Sequence, residues 1–152
     1  MPQLKVPVTG FKISKPFGVK GKFWKTGFHP GVDFPSPTGT PVKAVWGGII
    51  SRAHNVADGY GLYIRQECFW KGCSFRVYYA HLSKVLVKPG DEVGIGDVIA
   101  ESGASGNVVA ENPASDGSHL HLEVRLWTPE KGKQEDPAAW VRVEPKFFDE
   151  ET

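Results

Sequence analysis

Only two cysteines and one methionine occur in 152 residues, and no apolar run approaches the roughly 18 residues that a membrane helix requires. That excludes a disulfide-dense scaffold and a helical membrane span, and no membrane insertion is expected. Acidic residues are missing before Asp33, whereas Lys5, Lys12, Lys15, Lys20, Lys22 and Lys25 all precede it. Asp149, Glu150 and Glu151 crowd the other end. This basic front suits an anionic polymer or a plain solvated face, and no run is dense enough for a nucleic-acid arm, so no nucleic-acid partner is expected. Residues 1–12 lack a basic start followed by an apolar stretch, so no secretion signal is read there. Also lacking is any apolar period of 3.6 sustained over three turns, which excludes a helical architecture.

What is present instead is 18 glycines and 12 prolines scattered between short β-branched and aromatic runs. With 40% hydrophobic and 23% charged residues, this composition fits one soluble globular domain of all-β class. Strands are expected over 41–50, 62–67, 75–81, 84–87, 98–102 and 119–126, with weak helical turns near Val56 and over 137–141. The stretch 87–100 holds Gly90-Asp91 and Gly96-Asp97 and reads as a tight hairpin folding back over the sheet. Lipoyl and biotinyl carrier domains share such turns but need a lysine at the tip, and Gly94-Ile95-Gly96 offers none. Cys68 and Cys73 flank a hairpin tip, where facing positions would lie about 4.5 to 5.5 Å apart. A disulfide and two free thiols are both open there; a zinc finger is disfavoured.

Chemistry concentrates in the histidines. His119-Leu120-His121-Leu122-Glu123-Val124-Arg125-Leu126 alternates without a break, which turns both histidines toward one face of a strand. His29-Pro30-Gly31-Val32-Asp33 places a histidine and a carboxylate four positions apart, again on one face of an extended chain. His29, Asp33 and one histidine of the pair make three ligands with a fourth position for water, the pattern of a hydrolytic zinc site. The other histidine, and His81 at the end of an aromatic strand, are then available to move protons, as amide hydrolysis requires. Glu123 shares the histidine face and reads as an exposed glutamate, with support of a ligand as the other option. Tyr60 and Tyr79 are candidates to line a groove and donate to an oxyanion, and packing explains Tyr79 equally well. His54 reads as a surface residue. Loops 24–28, 53–61 and 103–117 are candidate rims of the site.

These residues resemble the lysostaphin-like, LytM-type zinc metallopeptidases that cut peptidoglycan. The likeness runs from about Ser14 to Trp127, through 28–34, 37–44, Tyr79-Ala80-His81-Leu82, the two Gly-Asp turns and 118–125. It implies antiparallel sheets with a substrate groove, one Zn2+ held by His29, Asp33 and His121, and His81 with His119 as the catalytic pair. It further implies an endopeptidase that hydrolyses cross-links or stem peptides of bacterial peptidoglycan and lyses the wall. A single peptidase domain is expected over 1–152, with its core at about 14–127 and an extension at 128–152, acting as a monomer. With no signal read at its start, a phage endolysin or virion-associated lysin is the expected setting. A non-catalytic wall-binding or regulatory module of the same fold is the alternative. A histidine phosphotransfer module would have no use for Asp33.

Overall fold

Period-two alternation between glycine and proline turns leaves the chain one way to bury its apolar residues, by packing strand faces. The computed structural model describes residues 1–22, 24–56, 59–106 and 117–148, and among them there are nine strands and two short 3-10 turns. The strands are β1 (Val32–Pro35), β2 (Pro41–Lys43), β3 (Gly48–Asn55), β4 (Leu62–Trp70), β5 (Cys73–Val85), β6 (Glu92–Val93), β7 (Val98–Ser102), β8 (His119–Trp127) and β9 (Trp140–Val143). All their pairings are antiparallel, in the order β1-β8-β5-β4-β3-β6. The all-β antiparallel expectation therefore holds.

β8 is the centre of the arrangement. One of its edges carries β1 along 119–122 and β9 along 124–127, and the other pairs with β5. β5 in turn divides its length: Phe75 to Ala80 pair with β8, while Leu82 to Val85 pair with β7. His81 sits at the point where the strand changes partners. Its φ of 62° departs from the extended range, a conformation that costs energy for a residue with a Cβ and that gathers at functional sites.

Several boundaries differ from expectation. The run 41–50 divides into β2 and β3 across residues 44–47, because β2 pairs β7 while β3 pairs β4 and β6. Residues 84–85 continue β5 rather than forming a strand of their own. Within 87–100 both turns form, closed by Asp91 N–H to Lys88 O and Asp97 N–H to Gly94 O, but β6 pairs with β3 and β7 with β2 and β5, so they do not make a hairpin together. The helical turn expected near 137–141 is a 3-10 turn over Pro137–Ala139 followed by β9.

The β4–β5 tip is the two-residue turn Lys71-Gly72, both with positive φ. Trp70 therefore faces Cys73, and Cys68 faces Phe75. The two cysteines stand diagonal to each other, one buried and one exposed, and both are free thiols. Of the two options for the pair, free thiols are correct.

The core is built from Val32, Phe34, Val42, Ile50, Ile64, Phe75, Val77, Tyr79, Leu120, Leu122 and Val124 on the inward faces. Leu4 and Val8 are fully buried in it, and Leu4 forms a parallel bridge to Phe147. Packing thus reaches beyond the 14–127 segment at both ends.

Candidate active site

Cross-strand register sets the site. Asp33 on β1 faces His121 on β8, and Ala80 on β5 faces His121 from the other side. Asp33 and His121 consequently project from the same side of the sheet. His29 precedes β1 and is fixed by backbone pairing of 28–29 with 18–20; the residue is buried, and its ring Nδ1–H donates to Pro16 O at 3.0 Å. Gly31 permits this approach: a Cβ there would collide with the Leu122 carbonyl and the His121 ring.

Three donor atoms then converge. Asp33 Oδ1 lies 3.1 Å from His29 Nε2 and 2.9 Å from His121 Nδ1, and one ligand atom from each residue falls within 4.8 Å of the others. The far nitrogens are both engaged, His29 Nδ1 with Pro16 O and His121 Nε2 with Glu123 Oε1 at 3.3 Å. This is the arrangement by which outer partners fix the tautomer and orientation of metal-binding imidazoles, and two nitrogens plus one carboxylate oxygen suit a divalent cation such as zinc. The charges of the site's own side chains are strong. Burial opposes the Asp33 carboxylate, yet hydrogen bonds from His121 and His29 hold its pKa far below the usual range. Burial likewise opposes the His121 imidazolium, and its bonds to Asp33 and Glu123 override that and raise it to about 9.

The other two histidines border the cluster. Were the pleat regular at His81, its side chain would point away from Ala80 and His121; the left-handed backbone re-aims it, and its ring centroid lies 4.8 Å from His119 and 5.9 Å from His121. His81 N–H donates to Tyr60 O at 2.8 Å, and its ring Nδ1–H donates to Ser105 O at 2.8 Å. His119 donates Nδ1–H to Gly117 O, also at 2.8 Å. Both rings are thus held in the same tautomer, with Nε2 left for other work; His119 Nε2 is 3.7 Å from Asp33 Oδ1. Burial first, then the neighbouring His119 and His121, press the His81 pKa down to about 4, so its imidazole is neutral near pH 7.

Glu123 corrects an expectation. It is not exposed but fully buried, and it accepts from His121 Nε2, from Arg125 Nε at 2.7 Å and from Arg142 Nε at 3.3 Å. Burial opposes its charge, but His121 and Arg125 lower its pKa to about 2, so a carboxylate is locked against the back of His121. Alternation placed it on the right face; that Tyr60, Tyr78 and Arg125 would cover this face was not legible locally. Tyr60 does line the site, its ring 6.0 Å from that of His121 and its hydroxyl receiving Arg125 Nη2 at 3.0 Å.

Tyr79 does not line the groove. It points into the core with no exposure, donates to Gln66 Oε1 at 2.6 Å and accepts from Val45 N at 3.0 Å. Position decides this, since Tyr79 faces Leu122 across the register while Tyr78 faces Glu123. His54 is exposed, as expected.

Described parts of the anticipated rim loops lie beside the site. The Trp24 ring lies tilted with its centroid 5.0 Å from that of His29, and Gly59 to Gly61 pack against 105–106. Gly61 has φ of 63°, and a Cβ there would strike the Ser105 backbone that holds His81. Of the 103–117 loop, residues 107–116 lie outside the described residues, as do Asp58 of the 53–61 loop and the acidic 149–151.

Comparison with known proteins agrees with this geometry. The chain is 37% identical over 125 residues to the peptidoglycan DD-endopeptidase ShyB of Vibrio cholerae, covering 81% of this chain and 23% of that protein. Among solved structures it is similar to the catalytic domain of the antimicrobial peptidase lysostaphin from Staphylococcus simulans, with TM-score 0.64, 35% identity, and coverage of 76% of this chain and 80% of that one. It also matches a zinc-containing peptidase from Vibrio cholerae, with TM-score 0.70, 28% identity, and coverage of 97% and 40%. The chain spans 22 to 30% of the length of the first curated relatives it matches. The profile of Peptidase family M23 matches residues 27–137, well over half of the chain, and the chain belongs to that family.

Proposed function

We propose that this chain is a zinc-dependent endopeptidase that hydrolyses peptide bonds in bacterial peptidoglycan. The observation that carries the reading is the convergence of His29 Nε2, Asp33 Oδ1 and His121 Nδ1 beside two imidazoles whose Nδ1 protons are already committed to carbonyls. The similarity to a peptidoglycan DD-endopeptidase supports the substrate class. Mixed nitrogen and oxygen donors, and the zinc-containing relative, support the ion.

When bound, zinc would supply Lewis-acid polarisation of a carbonyl and would lower the pKa of water. The chain's residues do the proton work. With Nδ1–H fixed, His81 and His119 exchange protons only at Nε2. A neutral ring, as His81 is near pH 7, takes a proton from the attacking water as its oxygen bonds to the carbonyl carbon. A ring protonated at Nε2 donates a hydrogen bond to the developing oxyanion, and a ring in that state then transfers its proton to the leaving nitrogen as the C–N bond breaks. Asp33 would serve as the third ligand, while Glu123 stays charged behind His121 and accepts from its Nε2. Residues 1–152 act as one peptidase domain in this reading, supported by the pairing of Leu4 with Phe147 and of β9 with β8.

Purified protein should carry about one zinc per chain and release peptides from isolated sacculi, and chelation should abolish release until zinc is restored. A chain that binds sacculi equally well with and without metal and releases nothing would instead be a wall-binding module.

A further inference from the structure

The sheet face that carries the metal cluster continues well past it. Counting along β8 from His121, the same face presents Glu123, Arg125 and Trp127, a distance of about 20 Å at about 3.3 Å per residue. Register extends it sideways: Arg125 faces Arg142 on β9 and Arg76 on β5, Arg76 faces Glu67 on β4, Tyr78 faces Arg65, and Arg65 faces Arg52 on β3. Five arginines therefore share one face with two glutamates.

Both glutamates are already saturated. Glu123 is bracketed by Arg125 and Arg142, and Glu67 by Arg65 at 3.1 Å and Arg76 at 2.8 Å. The face keeps an excess of positive charge after its internal pairs are made. The pairing is also one-sided. Arg65, Arg76 and Arg142 make their ion pairs through Nε, so among the described residues no hydrogen bond engages their Nη groups. A guanidinium has five donors, and those at the fork's end match a carboxylate two at a time. Partial exposure, 18% for the side chains of Arg65 and Arg76 and 32% for Arg142, leaves them within reach of a ligand while the Nε contacts hold them in place. Arg76 is fixed further by stacking at 3.8 Å on Trp140.

We propose that this arginine face is a binding surface for the carboxylates of an acidic peptide, laid across β4, β5 and β8 with one end at the metal cluster. The proposal rests on the peptidase reading for what happens at that end, but the surface itself follows from charge and register alone. It makes the protein selective for peptides with free carboxylates over their amides, through an electrostatic contribution that salt weakens.

The test separates the two readings by measuring binding without catalysis. The full chain, stripped of metal, is titrated calorimetrically with two blocked hexapeptides, alternating alanine-glutamate and alanine-glutamine. The glutamate peptide should bind roughly tenfold tighter at low salt, as expected for one charge-assisted bidentate contact, and the preference should shrink at high salt. Arg65→Gln combined with Arg142→Gln should bring the two affinities within about twofold of each other, while Lys at both positions should retain part of the preference. Should the glutamine pair fail to fold, judged by circular dichroism, exposed Arg52→Gln gives a smaller reduction in a variant that loses only a bond to Tyr63. Equal affinity of the intact chain for both peptides, absence of binding by either, or an unchanged preference in the folded glutamine variants overturns the proposal. So does a single-stranded oligonucleotide that binds as tightly as the acidic peptide, which would mark a general anion surface. Acidic-peptide binding with no cleavage of sacculi would sink the peptidase reading and leave this one standing.

Discussion

Two buried polar clusters lie on opposite faces of the same sheet. On the inner face, Tyr79, Gln66 and the Val45 and Trp46 backbone form a closed set of neutral hydrogen bonds. On the other face, Asp33, His121, Glu123, Arg125 and Arg142 form a chain of charged ones. Both are fully partnered, and among the described residues no buried side-chain N or O atom lacks a hydrogen bond. The difference lies in what the bonds hold. The neutral set spends its donors and acceptors on itself and can only join β4 and β5 to the 45–46 turn. The charged set ends in three donor atoms aimed at one point, with two imidazole nitrogens beside it.

Substitutions on each side should therefore separate activity from stability. The largest effect is expected from His81→Ala and His119→Ala, each lowering peptide release by about 10²–10⁴-fold, the range for loss of a general acid or base, with metal content unchanged. Retained activity in both would break the assignment of the catalytic pair. Glu123→Gln keeps the shape but removes the charge shared by His121, Arg125 and Arg142, and zinc affinity measured with a competing chelator should fall about 10- to 100-fold. An unchanged affinity would show that Glu123 serves only the fold.

Tyr79→Phe reverses the pattern. It strips the Gln66 carbonyl of its donor and the Val45 N–H of its acceptor inside the core, which should cost about 1–3 kcal/mol in denaturant unfolding with zinc affinity untouched. A drop in metal binding would mean that the two faces are coupled through β5. Smallest of all, Cys73→Ser at the exposed hairpin tip should change stability by no more than about 0.5 kcal/mol, and intact mass with and without reductant should agree with two free thiols.

Alternation made part of this legible. The pattern from His119 to Arg125 marked strand β8, and the four-residue spacing of His29 and Asp33 marked two ligands on one side of an extended segment, but β1 itself was not among the expected strands. Strand partners were harder. Residues 41–50 look continuous in composition, yet they serve two different neighbours and so divide, while 92–93 and 98–102 look like one hairpin and pair elsewhere. Tyr78 and Tyr79 are indistinguishable by type, and only the register with β8 tells which one meets Glu123.

By itself, then, the sequence determined the strand class and the inventory of ligating and proton-carrying side chains, because a period of two and residue chemistry are local properties. Folding decided which atoms meet. The left-handed turn at His81, the burial of Glu123 behind His121 and the grouping of five arginines on one face all depend on contacts between residues tens of positions apart. Such contacts follow from register, and register is set by how every strand packs at once.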